Sequence, residues 1–154
     1  EDKEFWTQEF QEGRTQREYN ERYYQELLAL VNSYEEYSVL AHLELIVRYD
    51  RQGPYPFERV KPMVAEILRK AIQKGKGIEL NTSFHRYGLS GSTPSRAIWE
   101  LYRDLGGEIL TIGSDSHKPE HLGAYLREGQ EYLKSLGFKR FCTFEGMRPI
   151  FHSL

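Results

Sequence analysis

Residues 57–81 decide the fold class, and they close on Gly75-Lys76-Gly77-Ile78-Glu79-Leu80-Asn81. Upstream of the glycines, Val60, Val64, Ile67, Leu68 and Ile72 recur every three to four residues. That period places one apolar face on a helix over 57–74. Gly75 and Gly77 form a helix stop, and the short run 78–81 reads as a strand that follows it. Moving toward the carboxyl end, a polar loop over 82–93 leads to Pro94, which is placed to open a helix through Leu105. Gly106-Gly107 closes that helix before a third β-favouring run, Ile109-Leu110-Thr111-Ile112. After the loop Gly113-Ser114-Asp115-Ser116-His117, Pro119 opens a helix ending near Leu136-Gly137. A last strand over 140–144 and a short apolar end at Pro149-Ile150-Phe151 follow.

Toward the amino end the same alternation holds. Gly53, Pro54 and Pro56 mark a loop, and Tyr37-Ser38-Val39-Leu40-Ala41 forms a strand ending at His42. Residues 16–33 carry the spacing of an amphipathic helix. Strands alternating with helices of a dozen or more residues predict α/β architecture with a parallel sheet. In such folds chemistry gathers at the carboxyl ends of the strands. His42, Asn81, Asp115 and His117 fall there.

Composition narrows the function classes. Of 154 residues, 39% are hydrophobic, enough to build a core. Lys and Arg number 21 against 23 Asp and Glu, and the net charge of −2 argues against nucleic acid as a partner. No apolar run approaches the roughly 20 residues of a membrane span, so no membrane partner is expected. The single Cys142 has no intrachain partner and reads as a buried structural thiol of a cytoplasmic protein.

Asp115-Ser116-His117 is the best local signal for chemistry. Side chains two positions apart on extended chain can point the same way, so this carboxylate and imidazole can share a divalent metal. The same triplet also suits a loop capping the next helix. His42, among Leu43, Leu45, Ile46 and Val47, reads either as a packed core histidine or as a third ligand. Arg48 and Arg86 lie just beyond the first and second strands, where a guanidinium can fork onto a phosphate or simply face solvent. Lys118 is similarly placed. His85 sits in the loop with Arg86, His121 in the first turn of the helix opened by Pro119 and on its surface, and Asn81-Thr82-Ser83 reads as loop hydrogen bonding.

Three segments carry a family resemblance: residues 39–49 (Val-Leu-Ala-His-Leu-Glu-Leu-Ile-Val-Arg-Tyr), 79–83 (Glu-Leu-Asn-Thr-Ser) and 113–119 (Gly-Ser-Asp-Ser-His-Lys-Pro). In order, spacing and strand-end placement they resemble the PHP (polymerase and histidinol phosphatase) superfamily, in its histidinol-phosphate phosphatase branch. The resemblance implies a distorted (β/α)7 TIM-like barrel with two or three divalent ions (manganese, zinc or iron) at the strand ends. It implies His42, Asp115 and His117 as metal ligands, Asp115 and His117 as catalytic groups, and Arg48 and Arg86 as phosphate contacts; Lys118 joins them as a phosphate contact from its place beside His117. The implied reaction is hydrolysis of L-histidinol phosphate in histidine biosynthesis. Glu44 stands where the branch usually has Asp, and Lys118 where a small or hydroxyl residue is frequent. None of the five histidines forms the H-x-H pair of the family's first strand. Residues 1–154 are therefore expected to be the carboxyl-terminal segment of one barrel domain, inactive alone and paired with the missing half or with itself. Another small phosphate ester as substrate, and a noncatalytic interaction module, are the alternatives.

Overall fold

The computed structural model describes residues 4, 5 and 7–154. A one-turn helix, α1 (Gln8–Gln11), precedes the long α2 (Gln16–Ser33). Thr15 starts α2 with a capping box: its hydroxyl accepts the Glu18 N–H, and the Glu18 carboxylate accepts the Thr15 N–H at 2.7 Å. The helix turns Tyr19, Tyr23, Tyr24 and Val31 inward.

The sheet follows. Strand β1 (Val39–Leu40) pairs in parallel with β2 (Gly77–Asn81), and β2 with β3 (Leu110–Gly113). Register places Leu40 beside Ile78, and Ile78 beside Leu110. Helix α3 (Phe57–Gln73) links β1 to β2 and buries Val60, Val64, Ile67, Leu68 and Ala71, the apolar stripe seen in the sequence. Gly75 ends it at φ +65, where only glycine is unstrained, and Lys76 N–H returns to the Ala71 carbonyl at 2.8 Å. Helix α4 (Arg96–Asp104) links β2 to β3. It buries Ile98, Trp99 and Tyr102 completely, and the Tyr102 hydroxyl donates to the Ile109 carbonyl at 2.7 Å. The α/β class and the parallel sheet are as the alternation of periods predicts.

Two elements differ from expectation. The helix expected from Pro119 splits into a 3-10 turn, Pro119–His121, and α5 (Leu126–Ser135). Between them Gly123 and Tyr125 take positive φ. The backbone there is held by side chains of the strand ends: Gly123 N–H donates to Ser114 Oγ at 3.2 Å, and Thr82 Oγ1 donates to the Ala124 carbonyl at 2.7 Å. At the carboxyl end, β4 (Arg140–Glu145) pairs antiparallel with β5 (Arg148–Ser153), a strand not anticipated from Pro149-Ile150-Phe151. Gly146 and Met147 both take positive φ, which is the backbone of a two-residue type I′ hairpin turn. Among the described residues no helix is long and apolar enough to cross a membrane.

Candidate active site

The carboxyl ends of β1, β2 and β3 bring together the polar residues of all three resemblance segments. Past β1 the chain turns sharply, with His42 at φ +36 and Glu44 at φ +71. That turn is held from β2, because the Glu79 carboxylate accepts the His42 backbone N–H at 3.0 Å and the Asn81 amide at 3.3 Å. His42 is half-buried rather than sealed in the core. Glu44 turns away from the site: its carboxylate accepts the Ser95 N–H at 2.6 Å and so caps α4. Burial of Glu44 pushes its carboxyl up, only partly offset by the two Ser95 hydrogen bonds.

Past β3, Asp115 adopts φ +49, a left-handed conformation. Arg86 braces it there, donating Nη1 to the Ser114 carbonyl and Nη2 to the Asp115 carbonyl, each at 2.7 Å. The Asp115 carboxylate lies 3.2 Å from His117 Nε2 through one oxygen and 3.7 Å from Arg48 Nη1 through the other. Burial alone would raise the Asp115 carboxyl. The Asn81 hydrogen bond and the charges of His42, Arg48 and His117 outweigh it, holding the group below the usual carboxylate range. Asp115 is thus an anion at neutral pH.

Arg48 ends the 3-10 turn Leu45–Arg48, and its side chain is only 6% exposed. The guanidinium stacks 3.8 Å from the Tyr87 ring centre, donates to Ser83 Oγ at 2.6 Å, and leaves its buried Nε–H without a partner. Of the other candidates, Lys118 is exposed beside His117, and His85 stacks between Phe84 and Tyr125 at 4.0 and 4.2 Å. His121, expected on a helix surface, is half-buried in the 3-10 turn with Nδ1 out of reach of water. Cys142 is buried.

The donor set suits a divalent ion. Carboxylate oxygen and imidazole nitrogen are both ligands of such ions, and those of Asp115 and His117 stand side by side, 3.2 Å apart. His42 completes no compact cage with them: among the described residues no three His, Cys, Asp or Glu side chains stand close enough to hold an ion by themselves.

Residues given no site role from the sequence also shape the site. Glu79, Ser83 and Tyr87 act on His42 and Arg48 across separations only the folded chain reveals. Ser83 offered one signal, its place in Asn81-Thr82-Ser83 at a strand end.

The fold is a parallel α/β sheet whose strand ends carry an Asp-x-His pair and a buried arginine. A family model described as PHP domain matches residues 3–83, and the chain belongs to that family. Among curated relatives, the probable histidinol-phosphatase of Thermotoga maritima is 32% identical over 119 residues, 77% of this chain and 49% of the relative. The histidinol-phosphatase of Lactococcus lactis subsp. lactis is 31% identical over 153 residues, 94% of this chain and 52% of the relative. The crystal structure of histidinol phosphate phosphatase from Lactococcus lactis, complexed with zinc, L-histidinol and phosphate, superposes with a TM-score of 0.77 at 28% identity. That match covers 92% of this chain and 54% of the solved one. The chain spans about half the length of the curated relatives it matches.

Proposed function

We propose that the intact protein containing this chain is a metal-dependent phosphomonoesterase that hydrolyses L-histidinol phosphate to L-histidinol and phosphate, a cytoplasmic step of histidine biosynthesis. The observation that carries the reading is the convergence of Asp115, His117 and the buried Arg48 within 4 Å steps at the strand ends. The similarity to a phosphatase solved with zinc, L-histidinol and phosphate supports the substrate.

In this reading residues 1–154 form the carboxyl-terminal part of a distorted (β/α)7 barrel, and residues outside them supply the H-x-H pair and the remaining ligands. Among the described residues β1 pairs on one side only, and Tyr23, Leu27, Leu30, Tyr34 and Tyr37 line an apolar groove beside it. The rest of the barrel, or failing that a second copy, covers this face.

Asp115, His117 and His42, together with ligands from outside residues 1–154, would hold two or three divalent ions: zinc, manganese or iron. Bound ions supply charge neutralisation at the phosphoryl oxygens and a water acidic enough to attack phosphorus near neutral pH. Arg48 orients the phosphate through its guanidinium charge. Arg86 and Lys118 assist at its rim, Arg86 while also bracing the Asp115 backbone. Asp115 and His117 are the catalytic groups of this reading, placed to pass the proton of the attacking water to the leaving alkoxide.

The test is phosphate release by the intact zinc-loaded protein across L-histidinol phosphate, other small phosphomonoesters and a diester. The expected result is a kcat/KM for histidinol phosphate at least about tenfold above the rest. Equal or better turnover of another monoester overturns the substrate, and no turnover of any ester overturns the enzymatic reading.

A further inference from the structure

Arg48 and Asp115 present a puzzle of geometry. A guanidinium and a carboxylate this secluded gain by closing to a bidentate pair at about 2.8 Å, yet they stand 3.7 Å apart. The neighbouring polar groups account for the gap. Asn81 and Ser83 are completely buried. Asn81 is fixed by its own backbone N–H, which donates to the Thr93 carbonyl at 2.9 Å, and by its amide on Glu79 at 3.3 Å. Its Oδ1 then accepts both the N–H and the O–H of Ser83, at 3.0 and 2.5 Å.

The Ser83 hydroxyl has one proton. With Asn81 Oδ1 at 2.5 Å and Asp115 Oδ2 at 3.4 Å, that proton belongs to Asn81. The lone pairs of Ser83 Oγ are left for Arg48 Nη2 at 2.6 Å, while Tyr87 closes the guanidinium face. We propose that Ser83, oriented by Asn81, is a positioning residue that holds Arg48 off Asp115. The Asp115 carboxylate is then not neutralised by a close guanidinium and keeps its charge for a cation, and Arg48 Nη1, 3.7 Å from it, keeps its hydrogens for a phosphate. This role rests on the phosphatase reading above, but its structural half can be judged without any turnover.

The experiment is Ser83→Ala in the intact protein, alone and combined with Arg48→Met, with Ser83→Cys as a milder variant should alanine prevent folding. In a crystal structure of Ser83→Ala, Arg48 closes on Asp115 to about 2.8 Å. Zinc affinity of the metal-free protein, read by competition with a chromophoric chelator, falls about tenfold, the scale of one charge-assisted hydrogen bond. KM for the ester and the inhibition constant of inorganic phosphate rise by a similar factor while kcat changes less. In the Arg48→Met background, Ser83→Ala shifts KM less than about twofold, because Ser83 acts through Arg48. Cysteine, a weaker acceptor of similar size, gives smaller shifts in the same directions.

An Arg48 that keeps its distance from Asp115 with unchanged zinc affinity overturns the proposal. So does a KM effect that persists in full without Arg48. If the wild-type protein hydrolyses no ester, the phosphatase reading fails, while the Arg48 position and the zinc affinity still decide the role of Ser83.

Discussion

The Glu79 carboxylate occupies the space that a side chain on Gly113 would need: a Cβ there would collide with Glu79 Oε1. The two residues are close on adjacent strands, since Asn81 pairs with Gly113 and Glu79 with Thr111. Glycine on β3 is what lets the carboxylate of β2 lie flat and reach the His42 backbone.

Gly113→Ala therefore pushes Glu79 off His42, with an expected cost of about 1–2 kcal/mol in urea unfolding. Glu79→Ala removes the obstacle. The double variant is expected to be less destabilised than the sum of the two singles, and strict additivity would show that the contact is not what makes glycine necessary.

Asp50 accepts hydrogen bonds from the Tyr19 hydroxyl at 2.5 Å, the Asn20 amide at 2.8 Å, the Gln16 amide at 3.2 Å and the Gln52 N–H at 3.0 Å. Tyr19 and Asn20 are buried, so Asp50→Ala strands their donors away from water. The expected loss is about 2–3 kcal/mol. A loss below about 0.5 kcal/mol in denaturant titration, the range of an exposed position, would show that water replaces the carboxylate.

Glu44 gives a pH signature. Burial raises its folded-state carboxyl above the unfolded value, so the folded chain binds this proton more tightly. The resulting stabilisation is complete below the unfolded pKa of about 4.3 and is lost as pH rises through the folded value. Glu44→Gln stays neutral throughout. The stability of the native chain minus that of Glu44→Gln is thus expected to fall as pH rises across that window. A difference that is flat or grows with pH would mean that the α4 cap prefers the charged carboxylate.

Arg86 separates two roles. Its two hydrogen bonds to the Ser114 and Asp115 carbonyls hold the Asp115 backbone in its left-handed turn. Arg86→Ala is accordingly expected to lower both kcat and zinc affinity, by about 10- to 100-fold, as loss of groups behind metal ligands does. A rise in KM with kcat and zinc affinity intact would assign Arg86 to phosphate contact alone.

These relationships differ in how far the chain order reveals them. The stripe of α3 and the runs 78–81 and 110–112 are legible because burial on a helix or a strand imposes its own period. Asp115 and His117 are legible because their spacing is local. The coupling of Arg48 to Ser83 joins residues whose sequence neighbourhoods say nothing of each other, and no periodicity reports it. The hairpin escaped because Gly146-Met147 lacks the Asn-Gly or Asp-Gly pair that usually marks a type I′ turn. The helix after Pro119 is shorter than its spacing predicts because Thr82 and Ser114, distant in sequence, interrupt it. His121 is half-buried for the same reason.

In the proposed mechanism Asp115 and His117 would share a metal ion. The most direct test measures bound zinc per chain, together with phosphate release from L-histidinol phosphate, for the intact wild-type protein and for Asp115→Ala and His117→Ala. Both variants are expected to fold, to lose at least one zinc equivalent, and to turn over at least about 100-fold more slowly. Wild-type zinc content and turnover in either variant would contradict the account.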